Sequence, residues 1–169
     1  MHNGVIRDFA RLKREMTLAI NPALFGHIQG NTDSELMFML ALTFGMDSDV
    51  YAGVARMAGF VEETAAKKGI ENPLQMTLAI SDGKRLFAVR YSTEKQSRTL
   101  FYSASVSALR QLVPQEVEPE LEVYGEQAMS VVSEPFHSLE GGWHAVAEST
   151  FLTVENGMVE QRSFVPTSV

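Results

Sequence analysis

The chain has 169 residues and a formal charge of -7, with 14 basic residues scattered among 21 acidic ones; no cationic stripe is present, so no nucleic-acid partner is expected. Apolar residues make up 45% and charged residues 21%, which excludes a disordered polar chain and suits one globular domain over residues 1–169. The most apolar run, residues 36–44, is far shorter than the ~20 residues needed to cross a bilayer, and the start shows no signal-peptide pattern, so no membrane partner and a cytoplasmic location are expected.

In chain order, Asp8 is the predicted cap of a first helix whose apolar face is Phe9, Leu12, Met16 and Ala19 or Ile20, ending before Pro22. Thr32 and Glu35 fit a capping box for a second helix over residues 33–44, closed by Gly45. That helix is apolar nearly all round, which predicts an interior position in a layered structure. A third helix, residues 49–68, presents Val50, Val54, Met57, Val61 and Ala65 on one face, with its acids early, Lys67 and Lys68 late, and Gly69 after them.

Strands are predicted next, at residues 76–81 and 85–92 around the turn dipeptide Asp82-Gly83, and at 99–103 after a polar loop. Residues 105–127 are acidic and carry Pro114 and Pro119, which reads as an irregular excursion. Strands resume at 128–133, and a last hairpin spans 150–164 around Asn156-Gly157. Helices first and antiparallel strands afterwards give an α+β layered domain. No strand is predicted before the first helix.

Two short segments carry chemistry. His2-Asn3-Gly4-Val5-Ile6 precedes the first helix, and Gly30-Asn31-Thr32-Asp33-Ser34-Glu35 opens the second. On the residues alone, Asn3-Gly4 reads equally as a turn, and the second segment as a cap with an acid in the first turn. His2 reads as a structural hydrogen-bonding residue, Arg90, Ser133 and Glu134 as polar contacts at the core edge, and Trp143 as core. The chain has no cysteine, which excludes disulfides, thiolate metal sites and a thiol nucleophile within these residues. Its histidines, His2, His27, His137 and His144, have no metal-binding spacing, so neither a metal nor another cofactor is expected.

Taken together and in this order, HNG before a helix and TDSE about thirty residues on resemble the glutaminase domain of class II glutamine amidotransferases. LALTFG (40–45), SDGKRLFAVRYS (81–92), TLFYS (99–103) and VVSEPF (131–136) extend the resemblance to about residue 164, closest to a compact bacterial branch of predicted amidotransferases. The resemblance implies a partial αββα four-layer sandwich of the N-terminal-nucleophile hydrolase type, lacking its N-terminal strands. It also implies a reaction: a cysteine thiol attacks the side-chain amide of glutamine, and ammonia leaves from a thioester route.

Carried over to these residues, Asn3 and the backbone N–H of Gly4 form the oxyanion hole, an amide donor suiting that role because it adds no net charge. Asp33, with Thr32 beside it, binds substrate through the α-ammonium group. The implied substrate is L-glutamine or a γ-glutamyl compound. Because family members place their cysteine upstream of the HNG segment, the chain is expected to be a truncated glutaminase domain, inactive alone. The missing N-terminal segment or a second chain is then an expected partner; the alternative is a non-catalytic amino-acid-binding or regulatory module, or one subunit of a split enzyme.

Overall fold

The structure is a computed structural model that describes residues 1–113, 121–136 and 139–169. The elements run β1 (His2–Ile6), α1 (Phe9–Ala19), α2 (Pro22–Phe25), α3 (Asp33–Thr43), α4 (Val50–Ala66), β2 (Leu74–Ser81), β3 (Leu86–Ser92), β4 (Phe101–Ser103), α5 (Val106–Leu109), β5 (Val131–Val132), β6 (Trp143–Ala145), β7 (Thr150–Glu155) and β8 (Met158–Ser163). Residues 114–120 of the acidic excursion, with Pro114 and Pro119, lie outside the described residues, as does His137.

Leu12 and Met16 of α1, Leu36 and Leu40 of α3, and Val54, Met57 and Val61 of α4 are buried together over Leu74, Met76, Val89 and Phe151 of a five-stranded sheet. That sheet is antiparallel, in the order β1-β2-β3-β7-β8. Its other face meets a three-stranded sheet, β5-β4-β6, through a smaller core of Ala88, Leu100, Val146 and Leu152. A helix layer and two sheets thus make three layers of an α+β sandwich. Among the described residues, no helix is long and apolar enough to cross a membrane.

The all-round apolar character of α3 has the expected cause, since α3 packs on both α1 and α4 and buries Leu36, Met37, Met39, Leu40 and Ala41. The predicted face of α4 is buried at Val54, Met57, Val61 and Ala65 and partly at Val50, and Asp49 caps that helix by accepting the Ala52 N–H at 3.0 Å. Asp8 differs. The chain passes from β1 into α1 within two residues, which puts Asp8 in the left-handed region at φ 53 with no side-chain cap bond. Its carboxylate instead meets Arg11 at 3.2 Å.

The main correction is at the start: a strand does precede the first helix. His2 to Ile6 pair antiparallel with Leu78 to Leu74. Asn and Gly are poor strand formers, so local propensity hid a strand that cross-strand pairing imposes. In the first hairpin the Asp82 N–H bonds the Arg85 carbonyl, so Gly83 and Lys84, not Asp82-Gly83, form the tip. Backbone N–H groups of Arg85 and Lys84 donate to the Asp82 carboxylate and hold it down at about 2. The last hairpin forms as expected, with positive φ at both Asn156 and Gly157. Strand β5 is shorter than predicted because its partner β4 has only three residues. Trp143 lies in β6, which the sequence did not show, and is half-buried against exposed Phe136 rather than in either core.

Candidate functional site

In β1, the Met1 backbone nitrogen donates to the Ala79 carbonyl and the Ala79 N–H to the Met1 carbonyl, and Arg7 N–H bonds Pro73. Odd-numbered residues therefore face β2 with their backbone polar groups, and His2, Gly4 and Ile6 turn theirs to the outer edge of the sheet. At Ile6 that outward N–H is taken by Oδ2 of Asp33 at 3.0 Å. By the same alternation the Gly4 N–H points from this edge, two residues away from the carboxylate. Side chains alternate too: His2 and Ile6 face the helices, and Asn3 and Val5 the opposite side.

The imidazole of His2 lies across Gly4. A Cβ on Gly4 would stand 2.7 Å from Nε2 of His2 and 2.1 Å from the Gln75 carbonyl oxygen, so glycine is required here by close approach rather than by its φ. His2 Nδ1 is 2.8 Å from the Ser34 hydroxyl oxygen, and Nε2 is buried beside the Gln75 carbonyl without closing a hydrogen bond. Burial lowers the His2 pKa, while the Asp33 charge and the Gln75 carbonyl oppose the shift.

A base held neutral in the folded state gives a definite sign. Its contribution is full above the ordinary value of 6.5 and is lost as pH falls through the folded value, because the unfolded chain binds the extra proton first. Denaturant midpoints measured from pH 7.5 down to 5 should therefore fall more steeply for the unsubstituted chain than for His2→Gln.

At the start of α3 the Thr32 hydroxyl accepts the Glu35 N–H at 3.3 Å, which forms one half of the predicted box. The other half is not formed. Glu35 reaches back past Thr32, and its carboxylate accepts the N–H groups of Gln29 and Gly30 at 2.7 and 2.8 Å. Thr32→Ala should cost about 1 kcal/mol of stability, read from urea unfolding, as loss of such a cap typically does. Through Oδ1 Asp33 accepts the Ser34 N–H at 2.7 Å and lies 3.3 Å from the Ser34 hydroxyl oxygen, besides its bond to Ile6. The two motifs, thirty residues apart, thus interlock through His2–Ser34 and Ile6–Asp33.

Of the sequence-derived site residues, Gly4 and Asp33 come together at the outer edge of β1, Thr32 caps the helix beside them, and Asn3 projects from the other face with no side-chain hydrogen bond. A cavity of about 520 Å³ opens between α3 and β1–β2, with His2, Thr32, Ser34 and Glu35 at its polar end and Met37 and Leu78 among its apolar walls; Asn3, Gly4 and Asp33 do not line it. A second cavity, about 570 Å³, lies towards the β2–β3 hairpin around Asp47, Arg85 and Arg162. Among the described residues no cluster of potential metal ligands occurs.

Arg90 makes contacts that tie loops to β3. It donates to Ser97 and the Val146 carbonyl and lies 3.8 Å from Glu148. Glu148 was not anticipated; it accepts the N–H groups of Ser92 and Ser97 and the Ser97 hydroxyl, tying the polar loop to β3. No sequence signal marks it, since a single acid before a strand has no pattern. The Ser133 carbonyl accepts the Thr99 hydroxyl.

No protein-family model matches the sequence. The chain is 27% identical over 175 residues to the probable glutamine amidotransferase DUG3 of Saccharomyces cerevisiae, a match that takes in 92% of this chain and 49% of that protein. Its fold superposes on a glutamine aminotransferase class-II domain protein from Silicibacter pomeroyi with a TM-score of 0.83 and 28% identity, over 99% of this chain and 67% of that one. In sequence and fold the chain is similar to class II glutamine amidotransferases. The chain spans about half the length of the curated relative it matches, and the shared fold includes both β1 and α3, which carry the interlocked motifs.

Proposed function

We propose that these residues supply the oxyanion-binding and amino-acid-recognising part of an N-terminal-nucleophile glutaminase site for L-glutamine or a γ-glutamyl compound. The observation that carries this reading is the interlock of the two motifs, which sets the outward N–H of Gly4 and the carboxylate of Asp33 on one sheet edge. Gly4 N–H would donate to the oxygen of an amide carbonyl as it gains negative charge, and the Asn3 amide, which projects from the other face of β1, would join it only after turning to that edge. Donors aimed at such an oxygen typically contribute about 10²- to 10³-fold each in rate. Asp33 would hold the α-ammonium group, with Thr32 fixing the helix start from which it projects.

The 169 residues contain no sulfur nucleophile, because they contain no cysteine. In this reading the thiol that attacks the amide, forms the thioester and expels ammonia comes from outside them, in an N-terminal segment or a second chain, and the 169 residues alone bind without turnover. The test is an ammonia-release assay on the 169-residue protein with L-glutamine and with γ-glutamyl peptides. No release above the buffer rate is expected, and clear metal-free turnover would contradict the assignment of the nucleophile to other residues.

A further inference from the structure

The geometry points to His2 as a positioning residue that, through the Ser34 hydroxyl, keeps the Asp33 carboxylate seated on β1 and open to a cationic group. This inference rests on the reading of Asp33 as the ammonium-binding group. His2 itself reaches neither the outer edge nor any reacting atom; its ring lies on the helix side of β1, over Gly4.

The Ser34 hydroxyl stands between two acceptors, Nδ1 of His2 at 2.8 Å and Oδ1 of Asp33 at 3.3 Å, and has one proton to give. The contact to Nδ1 is the shorter of the two and takes the Ser34 proton, with the ring's own proton on Nε2, which lies with the Gln75 carbonyl against Gly4. Oδ1 of Asp33 then receives only the Ser34 N–H, at 2.7 Å, and Oδ2 only the Ile6 N–H, at 3.0 Å. A carboxylate accepts about four hydrogen bonds, so two sites remain for an ammonium ion. With either His2 or the Ser34 hydroxyl removed, the tie between β1 and the start of α3 is cut, and the Asp33 carboxylate is held less firmly on the Ile6 N–H.

The experiment compares the unsubstituted protein with His2→Leu, Ser34→Ala, Asp33→Asn and His2→Asn, whose amide oxygen can accept in place of Nδ1. Two quantities are read: hydrogen exchange at the Ile6 amide, and the ratio of affinities for L-glutamine and for 4-carbamoylbutanoate, which lacks the α-ammonium group. His2→Leu and Ser34→Ala should each speed Ile6 exchange about tenfold and lower the affinity ratio about tenfold, an effect the size of one charge-assisted hydrogen bond. His2→Asn should restore both. A role in packing alone would weaken both ligands equally and leave the ratio unmoved.

Unchanged Ile6 exchange in both variants overturns the positioning role. Faster exchange with an unchanged ratio, where Asp33→Asn does lower the ratio, overturns its consequence for recognition. A ratio that Asp33→Asn leaves unmoved, or no measurable binding by the unsubstituted protein, overturns instead the reading of Asp33 on which the inference depends. Should His2→Leu unfold, as seen in lost amide dispersion, Ser34→Ala decides alone, since it removes a single oxygen.

Discussion

Gly4→Ala should destabilise the protein by about 3 kcal/mol, the upper end of the cost of forcing extra atoms into a packed site. The new Cβ would stand 2.1 Å from the Gln75 carbonyl oxygen and 2.9 Å from its carbon, and neither is the end of a flexible side chain. Relief requires β1 to move away from β2, which strains the pairing from His2 to Ile6 and pushes the His2 ring off Ser34. Guanidinium unfolding followed by circular dichroism gives the number. Asn3→Ala is the matched control: its side chain is half-exposed and without a hydrogen bond, so its stability should stay within about 0.5 kcal/mol of the unsubstituted chain. Equal losses for the two variants would show that β1 is not held as described.

Asp33→Ala should have two separable effects. Stability should fall by about 1–2 kcal/mol, because the carboxylate satisfies the outward N–H of Ile6 and the first-turn N–H of Ser34. Affinity for L-glutamine should fall by about 10- to 100-fold, the range set by losing a hydrogen-bonded charge opposite an ammonium group. The comparison with Thr32→Ala separates these effects. That variant removes a cap bond on the same helix, at 3.3 Å, and should lower stability while leaving affinity within about threefold, since it takes no charge from the site. Calorimetric titration of both variants provides the check.

The helical third of the fold was legible because burial there follows helical periodicity: Leu12, Met16, Val54, Met57 and Val61 face one core, and Thr32 and Asp49 cap where their side chains can reach the first free N–H groups. Elements set by distant partners were not legible. β1 contains Asn and Gly and exists through its pairing with β2, seventy residues on. β6 has three residues and too little pattern to show. Asp8 has the right residue type for a cap, but the tight passage out of β1 denies it the conformation.

The two chemical motifs were legible as segments, their joint geometry was not. His2 was legible only as a structural hydrogen-bonding residue, without its partner. Its position on Gly4 and its contact with Ser34 depend on β1 and α3 meeting. Glu148 likewise acquires its four partners only when the loop after β3 folds over the strand. Asn3 and Asp33 were expected to serve one ligand; Asn3 projects from the face of β1 opposite the helices, Asp33 reaches the β1 edge from the start of α3, and neither lines the cavities beside α3.

In the proposed site the HNG and TDSE segments act together, one on the amide end and the other on the amino-acid end of the same ligand. Titration of the isotope-labelled protein with L-glutamine measures this directly. The Gly4 backbone amide, the Asn3 side-chain amide and the Ile6 and Ser34 amides should shift together and saturate at one common concentration. Resonances of Asp47, Arg85 and Arg162, around the cavity at the other end of α3, should stay in place. Shifts confined to that second cavity, or separate saturation of the Gly4 and Ser34 signals, would contradict it.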